Sequence, residues 1–146
     1  MIVITNYKEI LPWVLTHPPP SKHGKGFSFR EDYAVSMDVA GRGRLVVQIK
    51  KGFWTDLESF PLLIRPIYDR TGPGKAPATI HDALYQLTTA KLNGVQIRVS
   101  RRLADAVYRA GLVSEKDWQR RSKWFGLRIG GWYTWWKYRR AEKKRL

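Results

Sequence analysis

Residues 27–50 read FSFREDYAVSMDVAGRGRLVVQIK, and this stretch decides the class of fold. From Phe27 to Val39, aromatic and β-branched residues are interleaved with charge, the composition of a strand. Ala40-Gly41-Arg42-Gly43 is a turn signal. Beyond it Leu45, Val47 and Ile49 alternate with Val46, Gln48 and Lys50, the period of two that places successive side chains on opposite faces of a half-buried strand. Two strands around a short glycine-containing loop make an antiparallel hairpin. Lys51-Gly52-Phe53-Trp54 then carries the chain into a third strand or a bend.

Working outward, Ile2, Val3 and Ile4 open a short apolar strand that Leu11-Pro12-Trp13 breaks. Pro18, Pro19 and Pro20 favour an extended connection. On the other side the pattern turns helical. Thr55-Asp56-Leu57-Glu58 fits a capping box, and Leu62–Tyr68 is a short apolar helix candidate interrupted by Pro66. Residues 69–77 form a loop, and its Gly72-Pro73-Gly74-Lys75 lacks the spacing of a phosphate-binding loop. Ala78–Leu92 reads as a helix stopped by Asn93-Gly94. Ser100 caps a helix from Arg101 to Ala110, stopped by Gly111, with Leu103, Val107 and Ala110 on one face. Ser114-Glu115-Lys116-Asp117 opens another, and a last helix runs from Trp132 to Lys144 after Gly126, Gly130 and Gly131. Strands followed by helices make an α+β domain: an N-terminal antiparallel hairpin or small sheet packed against about four helices. We expect a core over residues 1–112 and a basic, tryptophan-rich helical extension over residues 113–146, packed on the core or on a partner.

The chain has 146 residues, enough for one domain with a real core, and its 43% hydrophobic content argues against wholesale disorder. It contains no cysteine, which excludes disulfides, thiolate metal sites and cysteine nucleophiles. Met1–Lys8 does not fit a secretory signal, because polar Asn6 and Lys8 follow Ile2–Ile4 at once. No stretch approaches the roughly 18 apolar residues of a membrane-spanning helix. The net charge of +15 is lopsided: residues 1–97 carry +4 and residues 98–146 carry +11. Such asymmetry points to an acidic or polyanionic partner for the C-terminal part, or to a solvated, solubilising face.

Three segments carry a resemblance. They are Gly52-Phe53-Trp54-Thr55-Asp56-Leu57-Glu58-Ser59, Ile80-His81-Asp82-Ala83-Leu84-Tyr85, and Ser100-Arg101-Arg102-Leu103-Ala104-Asp105. In that order they resemble the signature of a phage and prophage family known as domain of unknown function 1353. The resemblance spans roughly residues 27–112 and implies a tailed-phage or prophage origin. It implies no reaction.

The same segments hold the residues that chemistry would need. His81 and Asp82 are neighbours on a helix and point about 100° apart, so they do not face one point together. His81 shares its face with Leu84, Tyr85 and Thr88. Asp105 sits mid-helix in a core-seeking stretch, and packing of the two helices would bring it to the first one. One imidazole and three carboxylates (His81, Asp56, Asp82 and Asp105) suit a divalent cation or a histidine general base, and Ser59 is a candidate nucleophile. No G-x-S-x-G elbow surrounds Ser59, and His17 and His23 are not at metal-ligand spacing from His81. The competing reading is structural. Thr55, Asp56, Glu58 and Ser59 are helix-capping types, while His81 and Asp105 form a buried staple joined by Tyr85 and paired with Arg101 or Arg109.

Trp132, Trp135 and Trp136 fall at helical spacing on one face, followed by Lys137, Arg139 and Arg140. Aromatics beside cations serve a docking helix, stack nucleic-acid bases, or line a membrane interface, and otherwise they fill the domain's own core. The combined expectation is a phage virion or assembly protein, tail-associated, docking on other phage structural proteins through this region. It would sit in the host cytoplasm during assembly and then in the virion. Two alternatives stand beside it. One is a small hydrolase of cell wall or nucleic acid, the only reading that implies a divalent metal. The other is a basic nucleic-acid-binding accessory or anti-defence protein.

Overall fold

The computed structural model describes residues 1–11, 15–16, 27–55, 75–116 and 120–145. In chain order the elements are β1 (Ile4–Leu11), β2 (Leu15–Thr16), β3 (Phe27–Phe29), β4 (Tyr33–Val39), β5 (Gly43–Ile49), β6 (Trp54–Thr55), α1 (Lys75–Leu87), β7 (Thr89–Leu92), β8 (Val95–Arg98), α2 (Arg101–Ser114) and α3 (Arg120–Arg145). An antiparallel five-stranded sheet runs β1-β4-β5-β7-β8, and a small sheet runs β2-β3-β6. With three helices among the described residues rather than about four, this is the expected α+β arrangement.

The hairpin forms as its alternation requires. Tyr33 pairs with Ile49, Val35 with Val47 and Met37 with Leu45, and this row of side chains is buried in the core. β4 is an interior strand, with β1 on its other side, and its Ala34 and Ser36 are buried too. The strand expected over Phe27–Val39 divides, however. Three successive charged residues, Arg30-Glu31-Asp32, make a corner, and Asp32 Oδ1 holds it by accepting from the Lys51 N–H at 2.8 Å. Phe27–Phe29 therefore joins Trp54–Thr55 in the small sheet.

The helix expected over Ala78–Leu92 ends at Leu87. Asn93-Gly94 is a hairpin turn instead, with φ of 51° and 80°, the left-handed pair that a tight two-residue turn needs. Asn93 also locks this turn to the first hairpin: its Nδ2 donates to the Arg42 carbonyl and its Oδ1 accepts from the Arg44 N–H, both at 2.9 Å. A Cβ on Gly43 would collide with the Asn93 side chain.

Glycines expected to stop helices lie inside them. α2 begins on its expected cap, Ser100, whose side chain accepts from the Leu103 N–H, but it runs through Gly111 to Ser114. A Cβ at Gly111 would lie 2.7 Å from the Pro77 ring, so the glycine lets α1 approach α2. α3 passes unbroken through Gly126, Gly130 and Gly131. A Cβ at Gly131 would lie 2.8 Å from Tyr85 Oη, so this glycine admits α3 onto α1. α1 is enclosed: every residue from 76 to 85 is buried, including Thr79, His81 and Asp82. The capping box from Asp56 onward and the Leu62–Tyr68 helix candidate lie outside the described residues.

Candidate functional site

A helix buried all round must satisfy its polar side chains internally. His81 and Tyr85 stand one turn apart on α1 and converge on Asp105 of α2. His81 Nε2 lies 2.9 Å from Asp105 Oδ1, and Tyr85 Oη donates to the same oxygen at 2.7 Å. The other oxygen, Oδ2, accepts from Arg128 Nη1 of α3 at 2.7 Å and lies 3.6 Å from Arg101 Nε. Arg101 continues the network, donating through Nη2 to the Arg128 carbonyl at 2.7 Å. One carboxylate thus ties three helices together.

The electrostatics follow from these contacts. Burial pushes the Asp105 carboxyl up, but the His81 hydrogen bond and charge outweigh it, with help from Tyr85 and Arg128. The net result is a carboxyl held below its ordinary range, ionised at neutral pH. Burial, then the Asp105 charge, drives the Tyr85 hydroxyl far upward, so it remains a protonated donor. The His81 ring packs 4.0 Å from the Tyr85 ring and 5.2 Å from the Tyr108 ring, and its residue is fully buried.

Of the candidate catalytic set, the structure brings together His81 and Asp105. Asp82 turns elsewhere on α1, where Gln86 Nε2 donates to its Oδ2 at 2.9 Å. Asp56 and Ser59 lie outside the described residues. Among the described residues no group of three or more His, Asp or Glu is placed to hold a metal ion. Both Asp105 oxygens are occupied by donors from the protein. Arg101 pairs with Asp105, whereas Arg109 instead lies over the Trp124 ring at 5.2 Å. Arg128 was not legible beforehand: it arrives from a different helix, 23 residues away, and no local spacing announces it.

α3 has two apolar faces. One packs inward: Lys123, Leu127 and Gly131 are buried, and Trp135 and Tyr138 rest half-buried against the core. Trp135 meets Tyr85 edge-on at 5.1 Å, and Arg139 lies over the Trp135 ring at 4.7 Å while donating to the Tyr85 carbonyl. The opposite face carries Phe125, Ile129, Trp132, Tyr133 and Trp136, each between 48% and 62% exposed. Arg140 lies over the Trp136 ring at 5.2 Å, and Lys137 is exposed nearby. The three tryptophans expected on one face therefore separate: Trp132 and Trp136 face outward, while Trp135, with Arg139, turns inward.

Beside the Asp105 node a cleft of about 970 Å³ runs along β1. Residues 1–7 form one side, and Arg102, Arg109, Val113, Trp124 and Arg128 lie opposite.

The family model described as "Protein of unknown function (DUF1353)" matches residues 30–127. Searches of the curated proteins and of the solved structures find no match.

Proposed function

The chain belongs to the DUF1353 family, and from that premise we propose that it is a phage-encoded assembly protein, tail-associated, which docks on an acidic partner through the outer face of α3. The observation that carries this reading is the exposed stripe from Phe125 to Trp136. Large aromatics this exposed are costly to leave in water, and contiguous apolar patches on a monomer mark interaction sites. Tryptophan and tyrosine are also the side chains that dominate binding energy in protein interfaces.

Charge selects the kind of partner. The stripe is flanked by cations in a region whose net charge is +11, so two copies meeting through it would repel. An acidic rim around an apolar groove complements it. The phage context rests on the resemblance of the Thr-Asp, His-Asp and Ser-Arg segments. In this reading the Asp105 node is what fixes the helices that present the stripe. The hydrolase alternative draws less support, because His81 is enclosed and both Asp105 oxygens are already engaged.

The test is particle incorporation. The protein should be present in purified phage particles in fixed stoichiometry, and Trp132→Glu with Trp136→Glu should remove it while leaving the circular dichroism spectrum and Tm unchanged. Retention of the doubly substituted chain in particles refutes the docking role of α3. Binding to anionic vesicles or to DNA, lost in the same variant and without any particle component, assigns the stripe to that surface instead.

A further inference from the structure

We propose that the cleft along β1 is a second binding site, which takes an extended acidic segment of a partner protein as a sixth strand on the outer edge of β1. β1 is the terminal strand of the five-stranded sheet, and among the described residues no strand pairs with its outer edge. The ladder shows which backbone groups face that edge. The Val3 carbonyl accepts from the Ala40 N–H at 3.0 Å, and the register runs Ile4 to Val39 and Thr5 to Asp38. Residues facing one another across an antiparallel pair alternate between those that exchange hydrogen bonds and those that do not. Val3 and Thr5 therefore spend their N–H and C=O groups on β4, while Ile2 and Ile4, which line the cleft, turn theirs to the outer edge of the strand. An unpaired edge of this kind is a template for an added strand.

The register shift after Thr5 limits the template. Asn6 adopts a φ of 54° and its Nδ2 donates to Asp38 Oδ2 at 2.7 Å, which holds a bulge there. Bulges end regular edge pairing, so the incoming segment is short.

Charge identifies its chemistry. Arg102 and Arg109 are exposed on the cleft wall, and neither forms an ion pair among the described residues. Arg128, which lines the same cleft, is paired with the Asp105 carboxylate. Trp124, Val113 and Ala110 supply apolar surface to the same cleft. Alternating acidic and apolar side chains on an added strand would meet both. A second copy of this chain's own N-terminus fits poorly, because Met1–Lys8 contains no acidic residue. Nucleic acid would satisfy the arginines but has no amide and carbonyl ladder to offer Ile2 and Ile4.

The probe is a fluorescein-labelled octapeptide of alternating glutamate and valine, titrated into the full chain by anisotropy. A lysine–valine octapeptide and an oligothymidylate serve as comparisons. The glutamate peptide should bind saturably, the lysine peptide should not, and Arg102→Glu with Arg109→Glu should weaken binding about tenfold or more. Amide exchange at Ile4, followed by NMR, should slow about tenfold or more on peptide addition, a protection that surface ion pairing alone does not produce. Trp132→Glu with Trp136→Glu should leave peptide affinity unchanged, which separates this site from the α3 stripe. Peptide binding with unaltered Ile4 exchange overturns strand addition. Equal binding by the charge-reversed variant, or tighter binding of the oligothymidylate than of the peptide, overturns the acidic-segment assignment.

Discussion

Replacing Asp105 with asparagine should unfold the domain more easily rather than silence an activity. The carboxylate is almost fully buried and meets four donors: His81, Tyr85, Arg128 and, at longer range, Arg101. Asparagine matches its shape but brings one acceptor oxygen and an amino group. Whichever way the amide turns, its N–H groups face a donor from one of these side chains. The substitution also strips Arg128 and Arg101 of their counter-charge in a partly buried setting. Breaking one partner of a buried charged network costs about 3–5 kcal/mol. For a domain of this size each kcal/mol moves Tm by about 3 °C, so the expected fall is about 9–15 °C. Differential scanning calorimetry at neutral pH measures it. The pH dependence carries the sign. Because the folded Asp105 carboxyl lies below its ordinary range, its contribution is complete above the unfolded value of about 3.9 and is lost as pH falls through the folded value. The Tm gap between wild type and variant should therefore be widest at neutral pH and close on acidification below about pH 4. A fall of less than about 3 °C at neutral pH, or a gap that widens in acid, refutes the staple.

Gly131→Ala should destabilise by about 1–3 kcal/mol, because the new Cβ lies 2.8 Å from Tyr85 Oη, although alanine is the better helix former. A chemical-denaturation midpoint equal to or above wild type would show that α3 does not need this approach. Tyr85→Phe removes one charge-assisted hydrogen bond to Asp105 and should cost about 1.5–3 kcal/mol, read from the same denaturation curves. In the wild type, ultraviolet titration should show Tyr85 still protonated when exposed tyrosines have ionised, since burial and the Asp105 charge raise its pKa.

The two hairpins and the two interior glycines separate what was legible from what was not. The β4–β5 hairpin was readable because its signal is wholly local: alternation over seven residues on each arm and a glycine turn between. The β7–β8 hairpin carried the same kind of signal, since Asn93-Gly94 is flanked by Ala90, Leu92, Val95 and Ile97 in alternation. Asn-Gly terminates helices and opens hairpins alike, and the strong helix upstream favours the helix-end reading. At the site, His81, Tyr85 and Asp105 could be linked from sequence once the two helices were assumed to pack. Arg128 could not, because its partner is set by how α3 lies across the other two.

From the residues alone follow the α+β class, the Ser100 cap, the period-two core face of β5 and the lopsided positive charge. Each depends on neighbours a few positions apart, whose relative geometry any strand or helix imposes. Tertiary structure decided the rest. It made Gly111 and Gly131 contact points instead of stops, because a missing Cβ matters only once another helix arrives. It turned Trp135 inward and Trp132 outward, because both faces of α3 are apolar and periodicity cannot say which one the core will claim. It completed the Asp105 node from three helices, because a buried charge collects its partners from whatever packs around it, at any distance along the chain.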